Sequence, residues 1–486
     1  MTDIHTPGTP FGAYDPRRVD DVLRSAAFRA ALADWLTGQR WFAATNGRLP
    51  HPEILRTYVF HRAGSTGLIA LVRDGAAAGG DTGPYQIPLA VGAAVHQPPG
   101  VAPIARIGDV FVWDALSDPG PVSTLIRHMA GGRTLGSLAF RAEPPGFAPP
   151  RGPVRVRPPG GEQTNTSVVV GERYILKVYR RPLPGANPDL VLHRMLRDAG
   201  SRHVPPLLGS LESTAQDGPA YTLATLQSYL PEAASGWDLA LENAVSGDFT
   251  GEAARLGEAV AAVHSDLAAA GGSVPLGARD YEALAESFLS RLDQALTVVP
   301  RLRTHAARLR TLFGRVAGLD PGAGRLAQLV HGDLHLGQTL RTADGWLLLD
   351  FEGEPLAAGQ ESAAVHSPLR DVAGMLRSFD YAAHQGLNGA ETGFPELMRR
   401  RAAARRWAGR SVDAFWRGYA RAAGRDRAGD LGLLRAYVLD KAVYEVLYET
   451  TYRPGWAWIP LGFLGRALPR DVIPTRRPTA GPGSSG

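Results

Sequence analysis

Apolar positions along this chain follow two rhythms. Up to about residue 230 they fall mainly in short runs of four to eight, the pattern of strands half or fully buried. Ile54 to His61, Thr66 to Val72, Tyr85 to Val91 and Val110 to Ala115 read as strands. Val154 to Val156, the segment closing on Val168-Val169-Val170, Tyr174 to Tyr179 and Tyr221 to Tyr229 read the same way. Three helices interrupt them. Ala26 to Leu36 places Phe28, Leu32, Trp35 and Leu36 on one face, Val122 to Met129 is the second, and Asp189 to Ala199 is opened by Pro188 with Asn187 as its cap. From residue 237 onward apolar residues recur at three- and four-residue spacing. That period predicts helices over 237–245, 251–270, 279–296, 301–317, 369–385, 395–422 and 430–451.

The order is therefore α+β, then β-rich, then helical. Expected divisions are a cap over 1–100, a β-rich lobe over 101–230 and a helical lobe over 231–473. The Pro/Gly-rich stretch Glu143 to Gly152 marks a linker. The Pro/Gly/Ser-rich tail, 474–486, is expected to be disordered. No internal repeat is visible.

Composition narrows the class. A hydrophobic fraction of 44% and mean hydropathy of -0.12 fit a globular protein, and no apolar run is long enough to span a bilayer. The first residues lack the basic-then-apolar pattern of a secretory signal, so a cytoplasmic location is the default expectation. With 0 cysteines there is no disulfide and no zinc–thiolate site. The net charge of +5 is modest, with no dense basic block interleaved with aromatics, so nucleic acid is not an expected partner. A monomer or weak homo-oligomer acting on a small molecule is expected. Of 52 basic residues only Lys177 and Lys441 are lysine. A GC-rich genome explains such a skew, and the two survivors point to places where a compact ammonium is needed.

The chemistry concentrates in His331-Gly332-Asp333-Leu334-His335-Leu336-Gly337-Gln338, followed by an apolar run ending in Asp350-Phe351-Glu352. Phosphoryl transfer needs a carboxylate at the attacking hydroxyl and oxygen ligands for Mg²⁺ on the nucleotide. Asp333 suits the first role, Gln338 and Asp350 the second. Asp333 and Gln338 stand five apart, the spacing of Asp and Asn in the protein-kinase catalytic loop. Two other readings fit the same residues: a metal site on the alternating His331, Asp333 and His335, and a structural loop whose polar groups cap backbone. Upstream, Thr166 and Ser167 lie in a small-residue hairpin, and Lys177 on the next strand can reach a phosphate. The helix after it offers Asp189 in its first turn but Val191 where a kinase glutamate is expected, which leaves a lysine–acid pair open. Gln227, Ser228 and Tyr229 would form the hinge that meets adenine.

Together these motifs resemble the maltokinases, sugar kinases of the aminoglycoside-phosphotransferase-like class with a eukaryotic-kinase-like bilobal fold. Gln39-Arg40-Trp41-Phe42 and Tyr85-Gln86-Ile87-Pro88-Leu89 look like that family's N-terminal cap, and Ser367-Pro368-Leu369-Arg370-Asp371 continues the likeness. The resemblance implies ATP-dependent phosphorylation of a sugar hydroxyl. It gives Asp333 as base, Gln338 and Asp350 as Mg²⁺ ligands, Lys177 as phosphate contact and Glu352 as a further metal or substrate contact. The segment 357–366 lacks the arginines usual in maltokinases, and the chain is also similar to actinobacterial glucosamine kinases. Glucosamine, yielding glucosamine 6-phosphate, is therefore the favoured acceptor. Maltose, yielding maltose 1-phosphate, is the alternative, and a catalytically silent binding module is the reading from another class. Candidate acceptor contacts are His335, Asp371 and the helix bearing Lys441, Tyr444, Glu445, Tyr448 and Glu449, with Trp456 in the aromatic turn beyond it.

Overall fold

The structure is a computed structural model that describes residues 16–39, 41–42, 49–75, 83–159, 165–214, 218–354, 365–385, 393–425 and 427–468. The expected turns at 79–82 and 160–164, the acceptor-side segment 357–364 and the tail 474–486 lie outside the described residues. Contacts divide the chain into two units, Met1–Val191 with Pro205–Pro231 and Leu192–Val204 with Glu232–Gly486.

The first unit opens with α1 (Pro16–Arg24) and α2 (Ala26–Thr37). Ser25 caps α2 by accepting from the Phe28 N–H at 3.1 Å. Sequence reading missed α1 because its only apolar stripe is Val19, Val22 and Leu23, all buried. The two helices cover one face of an antiparallel sheet ordered β1-β2-β3-β5-β4. Its strands are β1 (Pro52–Ala63), β2 (Ser65–Asp74), β3 (Tyr85–Ala93), β4 (Ala105–Ile107) and β5 (Val110–Asp114). Phe28, Leu32 and Leu36 of α2 meet Leu68, Ile87, Leu89 and Val112 in its core. The break expected near residue 100 falls inside this sheet, because β3 pairs β5 with Val91 opposite Val112.

After α3 (Pro119–Ala130) comes a seven-stranded antiparallel sheet. It is built from β6 (Thr134–Leu135), β7 (Leu138–Ala142), β8 (Val156–Arg157), β9 (Thr166–Val170), β10 (Tyr174–Val178), β11 (Leu207–Ser213) and β12 (Thr222–Ser228). The order is β6-β7-β11-β12-β10-β9-β8, and α4 (Pro188–Asp198) lies in the connection from β10 to β11. β7 and β11 were not expected. Leu207 to Ser213 is weakly patterned, with Gly209, Ser210 and Ser213 among its seven residues, and only pairing on both sides makes it a strand.

The second unit is mainly helical: α5 (Gly236–Ser246), α6 (Thr250–Gly271), α7 (Ala278–Val298), α8 (Arg303–Gly314), α9 (Leu369–Gln385), α10 (Phe394–Ala422), α11 (Arg427–Tyr452) and α12 (Trp458–Ala467). α12 replaces part of the stiff turn expected after Arg453. Small strands brace the loops: β13 (Ala234–Ser235), β14 (Ser273–Pro275), β15 (Leu326–Gln328), β16 (Thr339–Thr342) and β17 (Gly345–Leu348). They form a β13-β16-β17 sheet and a β14-β15 pair. Phe249, Trp346, Phe379 and Trp407 form an aromatic knot under β16 and β17. Among the described residues no helix is long and apolar enough to cross a membrane.

Candidate active site

The loop between β15 and β16 is held by α9. Asp371 accepts from the backbone N–H of His331 at 2.7 Å and of Gly332 at 2.9 Å, and meets His264 Nε2 at 2.9 Å. The His264 Nδ1 faces the Tyr419 hydroxyl at 3.1 Å. Burial opposes ionisation of Asp371. The hydrogen bond and charge of His264, the charge of His331 and the Gly332 N–H outweigh it and hold the carboxyl down at about 2. One α-helical face supplies this support, since Ser378 Oγ accepts the Leu336 N–H at 3.0 Å, two turns beyond Asp371. Gly332 takes a φ of 87°, and a Cβ there would sit 3.1 Å from the Gly353 Cα, so the bend needs a glycine.

His331 ties this loop to the strand that follows. Its Nε2 donates to the Leu349 carbonyl at 2.6 Å, its Nδ1 accepts from the Asp333 N–H at 3.3 Å, and its ring lies 4.7 Å from that of Phe351. Both ring nitrogens are thus engaged with backbone. This corrects the alternative of a metal site on His331, Asp333 and His335. His335 caps the short turn Leu336–Gln338 by accepting from the Gly337 N–H at 3.1 Å, and its Nε2 stands 4.0 Å from Asp333. Burial lowers its pKa. The Leu349 N–H donates to the Gln338 carbonyl at 2.9 Å, which brings the Gln338 and Asp350 segments alongside. Asp350 has a φ of 60°, a left-handed conformation tolerated by aspartate more than by most residues. Asp350 and Glu352 are half-buried around the buried Phe351.

Asp333 opens on a cavity of about 130 Å³ lined by Arg291, Glu354, Arg370, Asp440 and Lys441. Lys441 Nζ donates to Asp333 Oδ1 at 2.9 Å and to Glu354 Oε1 at 2.8 Å. Arg370 meets Glu354 at 3.3 Å, and Arg291 meets Asp440 at 3.0 Å. Three carboxylates therefore face three cations. Burial disfavours the charges of Lys441 and Asp333, yet Asp333 and Glu354 raise the Lys441 pKa, and Lys441 with His335 keeps Asp333 below the usual carboxylate range. Asp440 goes the other way: burial and the charge of Glu354 push it up to about 6 despite Arg291 and Arg370.

Other expected contacts have different work. The Lys441, Glu445 and Glu449 face of α11 exists, but only Lys441 lines this cavity. Glu445 receives Arg377 at 2.9 Å, and Glu449 accepts from Tyr381 at 3.2 Å and Arg453 at 2.8 Å. Trp456 stacks on Tyr381 at 6.5 Å, and Tyr444 on Tyr448 at 6.1 Å, with Lys441 Nζ 4.7 Å from the Tyr444 ring centre. Asp371 is buried under the loop and supports it rather than facing the cavity.

In the first unit, Lys177 Nζ lies 3.0 Å from Asp189, which also accepts from the Tyr179 hydroxyl at 2.8 Å. The lysine–acid pair left open by Val191 is made from the first turn of α4 instead. Ser167 and Thr166 pair with Lys177 and Val178 across the β9–β10 hairpin. At the expected hinge, the Ser228 N–H donates to the Pro206 carbonyl and the Tyr229 N–H to the Arg173 carbonyl, so those two donors are engaged within the protein, while Gln227 stands opposite Ile175 in the β10–β12 ladder.

Sequence reasoning missed Arg291, Glu354, Arg370, Asp440 and His264 as site residues. A signal existed for some: Asp440 interrupts the apolar run Tyr437-Val438-Leu439, and Arg291 stands between Leu289 and Leu292. A lone charge on an apolar helix face needs a partner.

Residues 155–428 match the phosphotransferase enzyme family, and residues 35–118 match the maltokinase N-terminal cap domain. A glucosamine kinase of Streptacidiphilus jiangxiensis is 31% identical over 330 residues, 64% of this chain and 73% of that protein. A glucosamine kinase of Mycolicibacterium smegmatis is 27% identical over 328 residues, 63% of this chain and 77% of that one. A solved glucosamine kinase, crystal form A, aligns at 26% identity with a TM-score of 0.62, over 83% of this chain and 90% of that chain. Another, in complex with glucosamine, ADP and inorganic phosphate, shares the fold at 24% identity with a TM-score of 0.63, covering 92% and 99%.

Proposed function

The chain belongs to the phosphotransferase enzyme family, and on that premise we propose that it transfers the terminal phosphoryl group of ATP to a hydroxyl of glucosamine, giving glucosamine 6-phosphate, in the cytoplasm. The observation that carries this is the setting of Asp333. Asp333 lines the cavity, Lys441 holds one of its carboxylate oxygens, and His335 Nε2 stands 4.0 Å from the other. A hydroxyl placed against that second oxygen is oriented for attack and loses its proton to Asp333 as its oxygen–phosphorus bond forms and the bond to ADP breaks. Because Asp333 is a weak base here, its proton transfer belongs late in the step.

The donor set fits Mg²⁺. Gln338 and Asp350 offer an amide and a carboxylate oxygen from adjoining segments, with Glu352 as a third oxygen ligand. Bound there with nucleotide, the ion would neutralise charge on the transferring phosphoryl group. Lys177, oriented by Asp189, takes the phosphate-contacting role that the family pattern gives it. For an amine-bearing acceptor, Glu354 and Asp440 are the cavity carboxylates that would take the ammonium, in exchange for the lysine and arginine contacts they make here.

Coupled detection of ADP against glucosamine, glucose and maltose tests the reading. Glucosamine is expected to give the highest kcat/KM. Activity with maltose alone would replace it by the maltokinase reading. Asp333→Asn is expected to lower kcat by about a thousandfold or more with ATP binding intact, the scale of losing a general base together with acceptor orientation.

A further inference from the structure

Arg180 is 1% exposed and lies two residues beyond β10, the strand that carries Lys177. Its guanidinium joins two parts of the first unit. Toward the cap, Nη2 meets Asp114 at the end of β5 at 3.2 Å, and Nη1 donates to the Gln86 carbonyl of β3 at 3.4 Å. The Trp41 ring, just after α2, lies 4.4 Å from its Cζ. Toward the hairpin, Nε donates to Thr166 Oγ1 at 2.7 Å, at the first residue of β9. The main chain repeats the clasp: the Arg180 N–H donates to Asn165 Oδ1 at 3.2 Å, and the Gln86 N–H donates to the Arg180 carbonyl at 2.8 Å. Trp41 and Gln86 belong to the two cap motifs that catalysis leaves without a role.

We propose that Arg180 is a positioning residue through which the cap sets the β9–β10 hairpin and thereby the enzyme's affinity for ATP. The proposal rests on the reading of this hairpin as the phosphate-facing element. Thr166 precedes Ser167, the residue paired with Lys177. Fixing the hydroxyl of Thr166 and the side chain of Asn165 fixes the start of β9, the strand paired with the one that carries Lys177. Arginine is common in this chain, so its identity alone says little, and the geometry carries the argument. A buried guanidinium is costly, and a joint needed only for cohesion is often at least as stable when filled by an apolar side chain. A planar fork with donors in fixed directions suits orientation of several partners at once.

The test compares full-length wild type with Arg180→Met, measuring ATP dissociation constants by calorimetry and KM values for ATP and glucosamine. Arg180→Met is expected to weaken ATP about tenfold, the scale of one charge-assisted hydrogen bond, with the glucosamine KM within about twofold. Thr166→Val removes the hairpin contact with less risk to folding and is expected to weaken ATP in the same direction. ATP affinity equal to wild type in Thr166→Val, or in a folded Arg180→Met, overturns the proposal and leaves a merely structural joint. Because ATP binding is read directly, failure here is distinct from failure of the acceptor panel, which bears on the sugar alone.

Discussion

At Asp371 two backbone donors and one imidazole converge on a single buried carboxylate. Its pKa of about 2 lies below the ordinary 3.8, so the native state favours the ionised form. The resulting stability is fully present above about pH 4 and is lost as pH falls through about 2. Roughly two pKa units correspond to on the order of 2–3 kcal/mol. Asp371→Asn is expected to cost about that much at pH 7, and the gap to wild type should close toward pH 2. Urea unfolding at several pH values reads this directly. A gap that stays constant across that range would show that the charge of Asp371 contributes nothing. The same residue shows how the sequence misleads at this scale. Asp371 sits in a recognisable motif, which invites a substrate contact, yet its oxygens are turned to the loop backbone. Lys441 was singled out by its rarity, and the structure gives it two carboxylates to hold.

At the scale of elements, α9 is the platform of the catalytic loop. Asp371, Gly374 and Ser378 fall on one face, and a Cβ on Gly374 would stand 2.5 Å from the Leu334 carbonyl oxygen. Nothing but a glycine lets the helix approach the residue after Asp333 so closely. Gly374→Ala must push the loop outward, and displacements well under 1 Å at a catalytic group matter. The variant is expected to lose at least tenfold in kcat, with a stability loss of about 1–3 kcal/mol from overpacking. Steady-state kinetics beside thermal unfolding separates the two effects. Wild-type kcat in a folded variant would mean that the loop is not set by α9. Long elements such as α6, α9 and α10 were legible because their apolar period is sustained over several turns. β7, β11 and α1 were not, since each is short or polar and owes its form to neighbours.

For the whole molecule, the separate cores carry a prediction. One lies among Leu256, Val260, Phe379, Phe415 and Val443 in the second unit, and others lie within the first, such as that of Phe140, Leu176 and Leu211. Units with their own cores unfold with their own cooperativity. Urea unfolding followed by tryptophan fluorescence and by far-ultraviolet circular dichroism is expected to give non-coincident transitions. A single coincident transition would show that the units fold as one. ATP should shift the transition it stabilises by mass action.

The sequence by itself determined the class of chemistry. A loop acid, an amide five residues on and a strand-end acid are local in the chain, and local spacing survives without knowledge of the fold. It also determined the succession of a β-rich part and a helical part, through the period of apolar residues. The tertiary structure decided which charges meet. Arg291, Glu354, Arg370, Asp440 and Lys441 come from a helix, a turn and two further helices spread over some hundred and fifty positions, as does Arg180 with Asp114 and Gln86 over nearly a hundred. A buried ion pair leaves no periodic trace in either partner's segment. Only the folding of those segments against each other selects the partner, because desolvation makes an unpaired charge intolerable there.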